Sequence, residues 1–481
     1  MNHKMVVKTT GMLLVAEACL LLLPLAVSLI YRERCFYALL ITIGISGALG
    51  GAAMLAGRSA NKTIYSREGF TITGLSWLLL SAVGALPFFI SGEIPSYVDA
   101  FFETVSGFTT TGASILNDVE AMSRGLLFWR SFTHWVGGMG VLVFLMAMTK
   151  NISERSIYIM RAEMPGPIVD KITPRTRDTA KIFYAIYIAL TFAEVALLLC
   201  GGMPLYEALV HTFGTAGTGG FGVLRDSITS YSPYLQWVIG VFMLVFGVNF
   251  NVYYLLLMRR FRSALKSGEL WAYLGIAAAS TVIVSFNIRH LYPAVSECVR
   301  TAFFQVSSIM TTTGFATADF DTWPTLSKTT LLLLMFIGAC AGSTAGGLKV
   351  SRVVLLFKTS RREVRHMLHP RAVTSVRFEG KPVDPATLIS VGSYFAIYIG
   401  FFAFFWFLVS FQPGFDGVSN FSAVAACYNN IGPGLNLVGP TLGYWHYTPF
   451  IKIILAFAML FGRLEIYPML ISLSPSTWLK K

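Results

Sequence analysis

The sequence predicts an all-α membrane protein in which an N-terminal helix pair precedes four pseudo-symmetric repeats. Three observations lead to this fold class. First, 55% of the 481 residues are hydrophobic and only 13% are charged, whereas about a quarter of the residues in an ordinary soluble domain are charged. Second, apolar runs of about 20 residues, the length of a membrane-spanning helix, recur along the chain. Third, four shorter segments with glycine-rich ends recur between these runs.

Ten of the apolar runs are predicted to cross the membrane as helices. The first of them could also be read as a secretory signal, but it is long and lacks a small-x-small cleavage site. The runs cover residues 11–30, 36–57, 70–91, 125–149, 181–202, 234–258, 270–289, 328–356, 386–411 and 447–473.

The basic residues predict the orientation of these helices. Most of the 37 lysines and arginines lie in segments that share one side of the membrane with both termini, while acidic residues such as Asp118 and Asp226 lie on the other side. Positive charge collects in cytoplasmic loops, so we expect both termini in the cytoplasm. Membrane topology therefore explains the net charge of +13, and no nucleic acid partner is expected.

Four similar stretches define the repeat. Each begins with an apolar segment of about ten residues, too short to span, and ends in a polar, glycine-rich turn. They read FFETVSGFTTTGAS (101–114), LVHTFGTAGTGGFG (209–222), FFQVSSIMTTTGFA (303–316) and VAACYNNIGPGLNL (424–437). The chain is accordingly divided into a helix pair at 1–68 and repeats at 69–150, 151–265, 266–381 and 382–481.

The four turns predict a path for a cation. Irregular backbone at membrane depth is tolerated only where it is buried in protein or lines a wet path, and rings of backbone carbonyls can replace the water around a cation. Glycine permits the backbone angles that such a ring needs. We therefore expect each repeat to be helix, pore helix, filter and helix around one central pore. The expected ion-binding residues, none of them charged, are Thr110, Thr111, Gly112, Gly217, Thr218, Gly219, Thr312, Thr313, Gly314, Asn430, Ile431 and Gly432.

Other classes of protein explain the sequence less well. A secondary transporter with broken helices predicts inverted repeats, whereas these copies all enter the membrane from the same side. An enzyme would require a cluster of His, Asp or Glu at one depth, which is missing from the sequence. The letters GTGGFG (217–222) match a dinucleotide-binding pattern, but they follow a short helix rather than a strand. No nucleotide site is expected in this chain.

With these motifs in place, the chain resembles the TrkH members of the Trk/Ktr/HKT superfamily of potassium transporters over essentially its whole length. The resemblance includes HWVGGMG (134–140), GACAGSTAGGLKVSR (338–352) and FGRLE (461–465). It implies potassium uptake across the bacterial inner membrane, with K⁺ as the transported ion at the filter. It also implies a homodimer with a pore in each subunit and a cytoplasmic nucleotide-binding regulatory subunit of the TrkA type. Family members with serine at the first filter glycine resemble sodium-permeable transporters, and here that residue is Gly112.

A gate is expected below the filter. The glycine-rich stretch 338–347 is poor helix-forming material, so a break in that span is predicted. By resemblance it is a loop that obstructs the path, although a close contact between helices rich in small residues is the alternative. Arg463 lies in the last span, where a charge is costly without a partner. By resemblance it faces the pore and raises the barrier to cations. The alternative is a salt bridge to Glu465 or another buried acid, and the two roles are compatible. The gating residues are thus expected to be Gly342, Ser343, Thr344, Ala345, Gly346, Gly347, Lys349 and Arg463.

The coupling of transport is left open by the sequence. A cation-coupled secondary transporter, with sodium or proton symport, stands as the alternative to a gated pore. Buried acids in such a transporter could relay protons, and Glu17 and Glu194 lie within apolar runs.

Overall fold

The computed structural model describes residues 2–59, 66–140, 176–372 and 374–478. Over these residues the chain is almost entirely helical, and its sheet is a single two-stranded hairpin. The predicted all-α fold class is therefore confirmed. The end of the predicted span 125–149, and the predicted boundary between the first two repeats, lie outside the described residues.

Three helices precede the first repeat, namely α1 (His3–Leu20), α2 (Leu22–Ile30) and α3 (Cys35–Ala56). α2 continues the direction of α1, and together they cover enough apolar length for one span. α1 packs so tightly on α3 that a Cβ added to Gly50 would lie 2.8 Å from the carbonyl oxygen of Gly11. Small residues permit such close contacts between membrane helices, and these helices form the predicted N-terminal pair.

The first two repeats each contain a long helix, a short buried helix and a second helical stretch. The first repeat consists of α4 (Ser66–Gly84), α5 (Leu86–Ser91), the short helix α6 (Tyr97–Phe108) and α7 (Arg124–Gly138). The second consists of α8 (Thr176–Cys200), the short helix α9 (Leu205–Ala216), α10 (Pro233–Phe246), α11 (Phe250–Leu257) and α12 (Phe261–Leu265).

The third and fourth repeats follow the same order. The third consists of α13 (Gly268–Ile288), the short helix α14 (Val295–Met310), α15 (Thr325–Met335), α16 (Val350–Leu368) and a hairpin of β1 (Arg377–Phe378) and β2 (Lys381–Pro382). The fourth consists of α17 (Pro385–Val409), the short helix α18 (Gly417–Tyr428), α19 (Pro449–Arg463), α20 (Tyr467–Leu473) and α21 (Pro475–Trp478). Within the described residues, single 3₁₀ turns also occur at Arg289–Leu291, Phe320–Thr322 and Asn436–Val438.

Among the predicted spans that the structure describes in full, three are broken. The chain bends by 91° between α10 and α11, leaves the helix between α15 and α16, and turns at Glu465 and Ile466, which have left-handed φ angles, between α19 and α20. Of these breaks, the sequence predicted only the one in the third repeat. The other two lie inside apolar runs. Hydropathy does not reveal a helix break when the freed backbone N–H and C=O groups are hydrogen-bonded within the protein.

Six other helical segments of the described chain are long and apolar enough to cross a membrane, which supports a multi-pass membrane protein. Their lipid-facing side chains are exposed in the isolated chain, for example Phe286 at 82% and Ile389 at 70%. The six segments are His3–Ile30, Cys35–Ala56, Arg67–Ser91, Asp178–Cys200, Gly268–Leu291 and Pro385–Val409.

The four short helices lie in the centre of the molecule. Nine of the twelve residues of α18 are buried, and the last eight residues of α9 include none that is exposed. Side-chain caps begin two of these helices, with Ser96 accepting from the N–H of Asp99 ahead of α6 and Asp416 accepting from Ser419 ahead of α18. The hydrogen bonds from Ser419 hold the pKa of the Asp416 carboxyl below its usual range. These caps fix where the short helices of the first and fourth repeats start.

Candidate ion filter

Each short helix ends in the same tight turn. The residue that leaves the helix is Thr110, Thr218, Thr312 or Asn430, and its φ is 56° or 57° in all four. Its N–H donates to the carbonyl three residues back at 3.0–3.2 Å, and the next N–H donates five residues back at 2.8 Å. This is the Schellman pattern of helix termination. The four turns are therefore equivalent in backbone structure although their sequences differ.

The left-handed residues are under strain. A left-handed φ costs a residue with a side chain about 1–2 kcal/mol, and a β-branched residue such as Thr110 rarely adopts one. Such conformations persist only where the surroundings impose them, and they concentrate at functional sites. Finding three threonines in this state is a structural signal that sequence reasoning, which placed the strain on the glycines, missed.

A glycine with positive φ lies two residues beyond each of these positions. The four are Gly112, Gly220, Gly314 and Gly432, with φ angles of 78°, 75°, 87° and 97°. In the second repeat this corrects the sequence alignment by one residue, because Gly220 rather than Gly219 matches Gly112. Gly219 matches Thr111, and Gly217 lies one position before the left-handed residue. A Thr-x-Gly pattern, which matches Thr218 with Thr110 and Gly220 with Gly112, would have given the correct alignment of the second turn.

The four turns close into a ring. Each glycine packs against the backbone carbonyl of the next repeat so closely that a Cβ would overlap its oxygen. A Cβ added to Gly112 would lie 2.0 Å from the carbonyl oxygen of Gly219, and one added to Gly220 would lie 2.1 Å from that of Thr313. The corresponding distances are 2.1 Å from Gly314 to Ile431 and 2.7 Å from Gly432 to Thr111, which closes the ring. Since real Cβ atoms essentially never come within 3.0 Å of such an atom, a side chain at any of these four sites requires the backbone of the ring to shift. The sequence-predicted filter residues of all four repeats, apart from Gly217, thus come together around one axis.

The chemistry of this ring suits a cation. The C-terminal ends of α6, α9, α14 and α18 all lead into the turns, and a helix C-terminus carries a partial negative charge. The turns themselves contain only carbonyls, hydroxyls and one amide, so attraction comes from dipoles rather than from fixed carboxylates. Such a site binds a cation without holding it as tightly as a charged side chain would.

A cavity lies directly outside the ring. The four filter glycines line it, together with residues of the outer loops. Arg130 also lines it, but its charge is compensated because its Nε donates to Glu103 at 2.6 Å. Glu103 in turn accepts from the hydroxyl of Ser114 and the N–H of Ile115, both at 2.9 Å. This buried network holds α6 against the start of the outer loop.

One outer side chain reaches the filter from above. The hydroxyl of Tyr444 donates to the carbonyl of Gly432 at 2.8 Å, and its N–H donates to the carbonyl of Ser114 at the same distance. The tyrosine is 2% exposed and packs on Phe102. It thus ties the fourth filter turn to the first repeat, and no sequence motif marked it.

The loop between α15 and α16 lies directly beneath the ring. The N–H of Gly346 donates to the hydroxyl of Thr312 at 2.7 Å, and a Cβ on Gly346 would lie 2.7 Å from Cβ of Asn430. The loop also fills the bend between α10 and α11, where the N–H of Cys340 donates to the carbonyl of Gly247 at 3.0 Å. It is not a helix contact, so that alternative is wrong for this stretch.

The expected gating residues lie together in this loop. Gly342 and Gly347 have φ angles of 68° and 66°, which the turns of the loop require. Lys349 is buried at the start of α16, and its ammonium donates to the carbonyls of Ala345 and Gly346. The remaining expected members of the loop, Ser343 and Thr344, are also buried.

Arg463 connects the loop to the first repeat. Its guanidinium donates to the carbonyl of Thr344 at 2.7 Å and to the carbonyls of Gly137 and Gly138 at 2.7 and 2.8 Å. Glu465, the alternative partner, instead forms a two-pronged ion pair with Arg352 at 2.7 and 2.5 Å. The predicted salt bridge is therefore replaced by contacts with backbone carbonyls.

The same architecture is found in known proteins. A sequence model of the TrkH family, described as "Cation transport protein", matches residues 37–480. The chain is 36% identical to the Trk system potassium uptake protein TrkH of Salmonella typhimurium, over 99% of this chain and 100% of that one. It is 35% identical to TrkG of Escherichia coli K12, over 99% and 98%. The crystal structure of the potassium transporter TrkH from Vibrio parahaemolyticus matches with a TM-score of 0.89 and 33% identity over all of both chains. The chain belongs to the TrkH family of cation transport proteins, which are transporters and not enzymes.

Proposed function

We propose that this chain takes up potassium ions across the bacterial inner membrane through the ring of four turns. The observation that carries the proposal is the closure of that ring, in which uncharged carbonyls of four repeats surround one axis. The ion-binding residues are the turn residues predicted from the sequence, with Gly220 in place of Gly217. The relatives named above are potassium uptake proteins and a potassium transporter, which supports K⁺ as the transported ion.

The loop beneath the ring acts as the gate in this proposal. It lies on the path below the filter and is held by hydrogen bonds from Lys349 and Arg463. Arg463 adds a positive charge next to the path, which raises the barrier for a cation.

The assembly and its control are part of the proposal. We infer a homodimer with a pore in each subunit, and regulation by a cytoplasmic nucleotide-binding subunit similar to TrkA. The proposal places both termini in the cytoplasm. It divides the chain into a helix pair and four repeats, at 1–68, 69–150, 151–265, 266–381 and 382–481. α16 supports control from the cytoplasm because it runs without interruption from the loop to a basic end that includes Arg361, Arg362 and Arg365.

Coupled transport is the second candidate. The side chains of Glu17 and Glu194 are buried, 1% and 0% exposed, beside the hydroxyl groups of Ser46 and Thr215. A buried acid that exchanges a proton could couple a proton gradient to cation movement. This observation favours proton symport over sodium symport as the alternative.

Flux into proteoliposomes tests both candidates. The purified chain is reconstituted with and without its regulatory subunit, and uptake of ⁸⁶Rb⁺ is measured against competing K⁺ and Na⁺. A gated potassium pore predicts uptake that follows the membrane potential alone and is blocked by K⁺ at much lower concentration than by Na⁺. Uptake that requires a proton gradient at zero potential would support symport, and Glu194→Gln would then abolish that requirement.

A further inference from the structure

We propose that His134 is a positioning residue of the filter, filling the space behind the second turn that threonine side chains fill behind the first and third turns. The inference rests on the proposed function, since it assigns a role to this residue in cation selectivity. His134 itself does not touch the ion path in this proposal. It acts through the backbone of residues 217–219.

The first and third turns are braced by pairs of hydroxyl groups. The hydroxyls of Thr109 and Thr111 are 2.8 Å apart, and those of Thr311 and Thr313 are also 2.8 Å apart. All four threonines are completely buried. Each pair joins the residue before the left-handed position to the residue after it, so it stiffens the turn from behind.

The second turn has no such pair, because its matching residues are Gly217 and Gly219. The imidazole of His134, on α7 of the preceding repeat, occupies the place of the missing side chains. A Cβ added to Gly219 would lie 2.3, 2.4 and 2.5 Å from Nδ1, Cγ and Cε1 of that ring. A Cβ added to Gly217 would lie 2.2 Å from the carbonyl oxygen of His134. The second turn therefore needs glycine at both places so that the histidine fits.

The histidine is held in one orientation. Its Nδ1 lies 2.7 Å from the carbonyl of Gly107, and because a carbonyl only accepts, Nδ1 is the donor. Its ring packs on Phe221 with 4.2 Å between centroids, and the side chain is fully buried. A single residue thus links the short helix of the first repeat with the filter turn of the second.

The position of the second turn matters for the whole ring. The carbonyl of Gly219, the residue against which His134 packs, is the one that contacts Gly112. Removing the imidazole leaves a void behind Gly219, and cores collapse only partly into such voids. The turn can then relax backward, which moves its carbonyl away from the axis and lets the ring accept an ion of a different size.

A double-mutant cycle tests this role. In Gly219→Ala the new methyl group overlaps the imidazole, so the ratio of K⁺ to Na⁺ competition against ⁸⁶Rb⁺ uptake is expected to fall at least tenfold. In the double variant His134→Ala/Gly219→Ala the methyl group occupies the vacated space, and at least part of the ratio is expected to return. His134→Ala alone is expected to lower the ratio about fivefold. A double variant no better than Gly219→Ala would overturn the proposal, whether it fails in folding or in selectivity.

Two further variants distinguish a specific role of His134 behind the second turn from a general loss of packing around the filter. Gly314→Ala overlaps the carbonyl of Ile431, a contact between the third and fourth repeats that His134 does not touch, so adding His134→Ala is expected not to rescue it, and rescue there would contradict the proposal. His134→Phe keeps a ring but loses the donor to Gly107, and it is expected to retain more selectivity than His134→Ala. Selective uptake by the unaltered chain in the same vesicles tests the proposed function separately, so the two failures are distinguishable.

Discussion

Replacing Gly112 with serine is expected to lower the preference for K⁺ over Na⁺ about tenfold. The glycine has a φ of 78°, and a Cβ would lie 2.0 Å from the carbonyl oxygen of Gly219. To reach even the 3.0 Å limit for such a contact, the two backbones must separate by about 1 Å. Overpacking of this kind costs about 1–3 kcal/mol, and each 1.4 kcal/mol is tenfold in an equilibrium constant. The serine therefore widens the ring at one of its four contacts.

Gly92 offers a matched control for the backbone contribution. Its φ is 79°, almost the same as that of Gly112, but an added Cβ meets nothing within 4 Å. Gly92→Ser thus carries the cost of the left-handed conformation, about 1–2 kcal/mol, without the clash. It is expected to lower thermal stability slightly and to leave the ion preference unchanged.

The assay is competition of K⁺ and Na⁺ against ⁸⁶Rb⁺ uptake in proteoliposomes, with the two serine variants side by side. Protein that elutes as a single species from size-exclusion chromatography is required for each. If Gly112→Ser kept the K⁺ preference of the unaltered chain, the contact between the first two turns would have no part in selectivity. An equal loss in Gly92→Ser would assign the effect to folding instead.

Three other changes follow from the same contacts. Tyr444→Phe removes the hydrogen bond to the carbonyl of Gly432, which contributes about 0.5–1.5 kcal/mol. The variant is therefore expected to raise the K⁺ concentration at half-maximal uptake two- to tenfold. An unchanged concentration would show that the bond does not orient the filter. Arg463→Ala frees the loop and removes a positive charge, so the rate of uptake is expected to rise. The uptake rate of Arg463→Lys is expected to stay closer to that of the unaltered chain. A folded alanine variant whose uptake rate does not rise would show that Arg463 is not part of the gate. Arg352→Met leaves the half-buried carboxylate of Glu465, 18% exposed, without its partner. Its melting temperature is therefore expected to fall further than that of the double variant with Glu465→Met, and the reverse order would contradict the pairing.

Much of the fold was predictable because its signals are local. Apolar length predicted the long helices, and the recurrence of short segments with polar, glycine-rich ends predicted the four repeats. The break at 336–349 was also within reach, since glycine and small polar residues are poor helix formers. The breaks near Gly247 and Glu465 were missed because the apolar run as a whole was long enough to span, although Gly247, Asn249 and Pro468 mark them in the sequence.

The residue types of the candidate site were predicted from the sequence, but the alignment of the second turn was wrong by one residue. The double glycine at 219–220 allows two alignments, and only the hydrogen bonds of the turn show that Thr218 is the left-handed residue. The motif HWVGGMG (134–140) singled out His134, but its contact with the second turn was missed because the two lie in different repeats. Tyr444 was missed because it reaches the filter from a distant loop. Contacts between segments so far apart in the chain leave no trace in local sequence patterns.

The partner of Arg463 illustrates the same limit. Sequence reasoning weighed the nearest acid, Glu465, as an alternative partner because opposite charges two residues apart suggest a pair. In the folded chain the helix ends at Arg463 and the backbone turns at Glu465, so the two side chains have separate partners. A broken helix thus changes which charges meet.

The central claim is that the four turns form one potassium-selective path, and ion competition in a single reconstituted preparation tests it most directly. ⁸⁶Rb⁺ uptake driven by a membrane potential is measured with increasing K⁺ or Na⁺, for the unaltered chain and for Gly112→Ser, Gly220→Ser, Gly314→Ser and Gly432→Ser. We predict that K⁺ competes far better than Na⁺ in the unaltered chain and that each of the four substitutions reduces the difference. Equal competition by both ions, or a loss of preference confined to one or two turns, would contradict a filter built from all four repeats.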